Sequence, residues 1–253
     1  MSVILAALGI TGIWGGANAE IRRFENAAAR DIAGRLEGEH RRVSVKTKPS
    51  GLLGHAFFDL ASATIKAQDF STPGLPLFTD PEFSRRGRIG ELRIELDNFE
   101  LAGLKIESLR SVIPNCRFDA GLAMRERQIR LSKSGVGQGE VKVRQEALEP
   151  FILKTVREIK QVKVKLEKGK AWIEGYGEFL VAKTEFLVVA DLEIKNKTEI
   201  HLANAKVIFG WRKADEASKG VLLSLLNPVV DLRKDLGLLD AIDGRSSKGG
   251  VGE

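Results

Sequence analysis

The residues able to do chemistry are few and scattered. His40, His55 and His201 are the only histidines, and they lie too far apart in sequence to share a metal-ligand spacing. No G-x-S-x-G elbow occurs, so a lipase-type serine nucleophile has no motif behind it. Gly135, Gly137 and Gly139 imitate a phosphate loop, but no Lys-Ser/Thr pair or helix start follows them, which favours a hairpin turn between short strands. The single cysteine, Cys116, sits at an apolar strand position and reads as a small core residue; alone, it can form no intramolecular disulfide. The expectation is a chain that is not an enzyme, with no metal site and no cofactor.

What remains is recognition by charge and apolar surface. The 253-residue chain carries a net charge of +6, with lysine and arginine spread through nearly every segment. Such a surface favours anionic partners. Aromatics make up only 6% of the chain and do not interleave with basic residues in a base-stacking pattern. Anionic phospholipid or a membrane surface is therefore the expected partner, and nucleic acid is not. One stretch concentrates the relevant types: Thr72 to Gly87 has three prolines and two glycines, and holds Leu75, Leu77, Phe78 and Phe83. It leads into Arg85, Arg86 and Arg88. It reads either as a loop folded over a barrel end or as a membrane-docking tip, whose apolar residues dip in while arginines meet phosphates.

The elements that would position these residues are mostly long strands. From Phe151 to Trp211 there is no proline, and apolar residues alternate with polar ones for most of the length. Val162, Val164 and Leu166 oppose Lys163, Lys165 and Glu167; Phe186, Val188, Ala190, Leu192 and Ile194 repeat the pattern. Period-two alternation marks strands with one buried and one wet face. Lys183 to Lys195 would extend about 40 Å, roughly twice a typical strand. Thr198 to Trp211 reads as a further strand, and its apolar parity flips near Ala203–Asn204, which predicts a bulge. Alternation also marks Arg42–Lys48, Arg88–Asp97, Gln128–Ser132 and Glu140–Arg144. Gly54 to Phe70 reads as another long strand, and a further one starts near Lys105, is interrupted near Pro114 and continues through Leu122.

Two amphipathic helices flank the strands. Over Glu20–Glu37, Ile21, Phe24, Ala28, Ile32 and Leu36 recur at helical spacing; over Gln145–Val156, Leu148, Phe151, Ile152 and Val156 do. A leucine-rich helix over Asp215–Leu226 stops at Asn227-Pro228. The expected fold is α+β: a long, curved antiparallel sheet rolled around amphipathic helices. Its apolar groove would be lined by Phe24, Ala28, Ile32, Phe151 and Ile152. Leu75, Leu77, Phe78, Phe83, Arg85 and Arg86 would touch the membrane. A transmembrane barrel fits less well, because no aromatic girdle brackets the strands and helices interrupt the series.

At the amino end, Val3 to Trp14 is uncharged and mostly apolar, and Ala17-Asn18-Ala19 satisfies the small-x-small cleavage rule. Residues 1–19 are therefore expected to be a signal peptide directing export to the periplasm or cell envelope, although no basic residue precedes Glu20. Residues 20–243 would form a single domain, and Gly- and Ser-rich 244–253 a disordered tail.

The order of parts resembles the LmeA-like phospholipid-binding proteins of bacterial envelopes. The resemblance rests on Arg41-Arg42-Val43-Ser44-Val45-Lys46 after the first helix, then Pro49-Ser50-Gly51-Leu52-Leu53-Gly54. Gly90–Leu101 with its Leu96-Asp97-Asn98-Phe99 follows, then Glu140–Arg144 running into Ala147-Leu148. Leu226-Asn227-Pro228-Val229-Val230-Asp231-Leu232 closes it. It spans about residues 20–240 and implies phospholipid binding in a tubular fold, with no catalytic motif to transfer. Two other functions fit the same residues: a non-catalytic envelope scaffold or interaction module with a filled core, and a lipid-modifying enzyme.

Overall fold

The computed structural model describes residue 19 and residues 21–51, 59–73, 87–179, 182–195 and 199–231. Most alternating segments form strands, with two corrections: the strand expected from Lys105 through Leu122 runs unbroken past Pro114 but ends at Phe118, where Asp119 caps a helix over Ala120–Arg125, and only Leu131–Lys133 of the region around Gln128–Ser132 pairs as a strand. Helix α1 (21–34) leads into β1 (Arg42–Pro49), β2 (Asp59–Thr72), β3 (Gly87–Leu101) and β4 (Leu104–Phe118). Helix α2 (Ala120–Arg125), β5 (Leu131–Lys133), β6 (Gln138–Lys142) and α3 (Gln145–Thr155) follow. Then come β7 (Ile159–Glu167), β8 (Lys170–Phe179), β9 (Ala182–Lys195) and β10 (Glu199–Phe209). The described chain ends with β11 (Arg212–Lys213), α4 (Glu216–Leu226) and β12 (Val230–Asp231).

These strands make two six-stranded sheets, not one rolled sheet. In the first the order is β1-β2-β3-β4-β5, with β6 also on β4; in the second it is β11-β10-β9-β8-β7, with β12 also on β10. Each path has two ends, so neither sheet closes, and the expected tubular roll is overturned. The reason lies between Phe118 and Ile159. There the meander is broken by α2, two short strands and α3, and the next long strand starts a new sheet. β5 and β6 both pair with β4, so Gly135–Gly139 is a crossover along one strand and not the hairpin turn the glycines suggest.

The same order of parts occurs twice: a helix, then four strands that are neighbours in chain order, α1-β1-β2-β3-β4 and α3-β7-β8-β9-β10. The chain divides into two compact units accordingly. The first holds α1, β1, β2, most of β3 and β4, α2, β5 and nearly all of β6; the second holds the β3–β4 tip (Phe99–Glu107), α3 and β7 to β12. Within the second unit, Arg144 bonds Glu107 at 2.9 Å and Lys154 lies 3.7 Å from Glu100, tying the tip to α3 and the residue before it.

Each unit has its own apolar core. In the first, Ala28, Ile32 and Leu36 are buried together with the inward residues of the sheet, including Ile65, Ile89, Leu92, Ile94 and Leu109. In the second, Leu148 and Ile152 of α3, which packs on β7, are buried with Val164, Ile173, Val188 and Val207. The predicted bulge in β10 is present: the register against β9 shifts between Ala203 and Lys206, and Asn204 is left-handed at φ 50.

Polar side chains from the helices finish the sheet edges. Glu25 of α1 is only 6% exposed, rare for a carboxylate. Its Oε1 accepts from the Thr47 amide at 2.5 Å and the Thr47 hydroxyl at 3.1 Å, on the terminal strand β1. In the second unit, the Val164 amide of terminal strand β7 donates to Glu149 at 3.0 Å, and the Leu166 amide to Gln145 at 2.8 Å. On β10, the Leu202 amide donates to Asn227 Oδ1 at 2.8 Å, while Asn227 Nδ2 donates back to the Leu202 carbonyl at 3.2 Å. Helix α1 is further held by Asp31, whose Oδ2 lies 2.8 Å from Nη1 of the deeply buried Arg130. Replacing Glu25 by Ala strands the Thr47 amide and should cost about 1–3 kcal/mol in chemical denaturation. Glu25→Gln keeps an acceptor and should lose clearly less; equal losses would assign the effect to the charge facing Lys46, 3.7 Å away.

Candidate functional site

Among the described residues, each unit has a groove open to solvent. The first lies on the outer face of β7–β10 and has a volume of about 540 Å³. Strand register builds it row by row. Gln161 faces Tyr176, which faces Glu185; Lys163, Glu174, Leu187 and Ile208 form the next row. Lys165, Trp172, Val189 and Lys206 form a third row of the same face, beyond the groove. Because inner-face positions are filled by core residues such as Val162, Ile173, Phe186 and Val188, the alternate positions must face out. Trp211, in the turn between β10 and β11, stands at the groove and is 98% exposed.

This face gathers the only tyrosine in the chain and both described tryptophans. Trp172 is half-buried, with the Lys165 ammonium 6.0 Å from its ring centre, and Tyr176, Leu187, Val189 and Ile208 are likewise half-buried. The charges are mixed. Lys165 pairs with Glu167 at 3.4 Å, Lys170 with Asp191 at 3.4 Å and Lys183 with Glu178 at 3.0 Å. Lys183 in turn holds the Glu178 carboxyl below its ordinary range, chiefly through their hydrogen bond. The surface is thus a band of half-exposed apolar and aromatic side chains inside a rim of paired charges.

The second groove, about 310 Å³, belongs to the first unit and is lined by Asp59, Arg88, Gly90, Asn115, Cys116, Arg117, Lys133, Ser134 and Gly135, with Ile89 beside them. The lining comes from β3, β4 and the end of β5. Burial pushes the Cys116 thiol up to about 12, and its Sγ lies 3.5 Å from the Ile113 carbonyl. It is a wall of the groove and stays protonated at neutral pH.

The residues expected from sequence fall differently. Ala28, Ile32 and Ile152 are buried in their units' cores, and Phe24 and Phe151 are half-buried. Phe24, Ala28 and Ile32 belong to one unit, and Phe151 and Ile152 to the other. Leu75, Leu77, Phe78, Phe83, Arg85 and Arg86 lie outside the described residues, as do His55, the proposed signal segment before Ala19 and the carboxyl tail. Arg88 is described and lines the second groove. His201 bonds Glu199 at 2.7 Å. Among the described residues no group of three or more His, Cys, Asp or Glu side chains is arranged to hold a metal ion, and no helix is long and apolar enough to cross a membrane.

The sequence reading passed over Trp172, Tyr176, Trp211, Arg117 and Lys133. For the aromatics a signal was present: Trp172 and Tyr176 share the parity of the wet face of their strand, where large rings are unexpected. The meeting of Arg88, Arg117 and Lys133 had none, because it depends on the pairing of β5 with β4. Comparison with protein-family models, curated proteins and solved structures gives no match for this chain. Native protein exposed to iodoacetamide at pH 8 should remain unmodified at Cys116 over hours, and become labelled once unfolded in urea. Labelling of the folded protein, read by intact mass, would show that the thiol is neither buried nor protonated.

Proposed function

We propose that this protein is a non-catalytic binding protein for anionic phospholipid that works at the surface of a cell-envelope membrane. The observation that carries the reading is the outer face of β7–β10. Tyr176, Trp211 and Leu187 line the groove there with Lys163, and Trp172, Val189 and Ile208 lie further along the same face with Lys165 and Lys206. Indole and phenol rings have an apolar body and a polar tip, and favour the boundary between lipid and water. Lysines can lay their stems along such a surface and keep the ammonium among headgroups. Glu174 and Glu185 share the groove, so apolar and aromatic contact supplies most of the attraction on this face and charge supplies less. Net charge of +6 adds a general preference for anionic membranes.

The envelope location rests on Ala17-Asn18-Ala19 and the apolar run before it, and the resemblance to LmeA-like proteins supports the same partner. The half-buried state of the ring faces argues for surface contact in place of an acyl chain threaded along the core helices.

Flotation with vesicles of phosphatidylglycerol and phosphatidylcholine tests the reading. Wild-type protein should float, and Trp211 emission should shift to the blue on binding. Trp211→Ala removes a fully exposed ring and should weaken partitioning roughly tenfold, the scale expected for one large apolar side chain, with no loss of stability. Wild-type protein that neither floats nor shifts would refute the lipid reading; retention on an envelope protein through the same face would replace it with the interaction-module reading.

A further inference from the structure

The groove on β7–β10 differs in charge from the rest of its face. Elsewhere on that face Glu167, Asp191 and Glu178 are each paired with a lysine. Glu174 and Glu185 line the groove, are exposed, and have neither an ion pair nor a side-chain hydrogen bond among the described residues. Lys163 is the one cation in the lining. It opposes Glu174 directly in the register of β7 and β8, yet no ion pair forms between them. Two carboxylates against one ammonium leave the groove one net negative charge, in a chain whose net charge is +6.

The fold brings two rings to these carboxylates. Register sets Tyr176 between Gln161 and Glu185 in one row. The Gly210 amide donates to the Glu185 carbonyl at 2.9 Å, which brings the next residue, Trp211, beside that row. The face of an aromatic ring is negative and attracts a cation held over it. One row beyond the groove the protein satisfies this attraction internally, with the Lys165 ammonium 6.0 Å from the Trp172 ring centre. Among the described residues no cation is stacked on Tyr176 or Trp211. Rings beside unpaired carboxylates match an organic ammonium: the acids supply counter-charge, and the rings supply apolar contact for its methyl or methylene groups. A neutral apolar ligand would desolvate the carboxylates without compensation. A hard metal ion would need more oxygen ligands than two, and no group of three acids is arranged for one among the described residues.

We infer that this groove binds an organic ammonium group, with Trp211 and Tyr176 as aromatic walls and Glu174 and Glu185 as counter-charges. The inference rests on the membrane reading for the source of the ligand, which it names as an amine-bearing headgroup, choline or ethanolamine. The positive charge of the whole chain draws it to an anionic surface, and the groove selects the amine headgroups within that surface. Lys163 complements the phosphate that such headgroups carry next to the ammonium.

The test uses the full chain and a Glu174→Gln/Glu185→Gln variant, which keeps the size of both side chains and breaks no described ion pair. Its melting temperature should match that of wild type. Choline chloride titrated into wild type should change the tryptophan emission, and the change should vanish in Trp211→Ala. Dimethylbutanol, the neutral carbon analogue of choline, should bind about tenfold more weakly, and the Gln variant should lose about tenfold for choline, the scale of two partly screened charge contacts. Equal binding of choline and its neutral analogue, or unchanged choline binding by the variant, overturns the site. Vesicles separate the sources. At fixed phosphatidylglycerol content, vesicles completed with phosphatidylcholine should bind wild type more tightly than those completed with a neutral galactolipid. The variant should lose that difference and float better than wild type on the galactolipid vesicles, since two repelling carboxylates are gone. Choline binding with no such difference between vesicles keeps the site and removes its lipid source. Flotation that depends on Trp211, by a protein that takes no free choline and does not distinguish the vesicles, leaves the membrane reading standing and overturns the ammonium site. Choline binding by a protein that never floats does the reverse.

Discussion

The structure depends on the free amides at the ends of its sheets being met from within each unit. A terminal strand presents a row of unpaired N–H groups, and each buried one left without an acceptor costs free energy comparable to a lost hydrogen bond. Here Glu25 meets Thr47, Glu149 meets Val164, Gln145 meets Leu166 and Asn227 meets Leu202. In each unit the helix that precedes the meander therefore covers its apolar face and also satisfies its first strand. An edge satisfied in this way has no need to find another strand. Two separate sheets form instead of one rolled sheet, and the edge amides of each are met by side chains of its own unit.

Sealed edges and filled cores leave the outward sheet faces for recognition. The face of β7–β10 offers rings and half-exposed aliphatics, and its charges are largely used up against each other. The groove at the β4–β5 pairing is the opposite: polar, cationic and floored by backbone. Arg88 stands just after the proline-rich stretch that the sequence marks out, so the arginine cluster expected there does include a residue of the groove.

Much of the local structure was legible in the chain. Alternation located the long strands, helical spacing located α1 and α3, a leucine-rich run stopped by Asn227-Pro228 located α4, and the parity flip located the bulge at Asn204. The division into two sheets was not legible, because period-two alternation reports which side of a strand is buried and says nothing about what covers that side. Gly135–Gly139 shows the same limit: glycines between two short strands look like a hairpin whether the strands pair with each other or both with β4. The site residues fared similarly. Ile32 and Ile152 were visible as apolar stripe positions, and a stripe is equally consistent with a ligand channel and with the packed core in which they are found. Arg117 and Lys133 lie 16 positions apart, with α2 and its turns between them, and only the register brings them together.

The most direct test is residue-resolved hydrogen exchange of four amides: Thr47, Val164, Leu166 and Leu202. They lie on strands at or near the ends of their sheets, where open N–H groups would exchange quickly. If helix side chains seal these edges, all four should be protected to nearly the same degree as the interior amides of their own sheets, and remain so when anionic vesicles are added. Exchange at the rate of exposed edge strands, in either condition, would contradict the account.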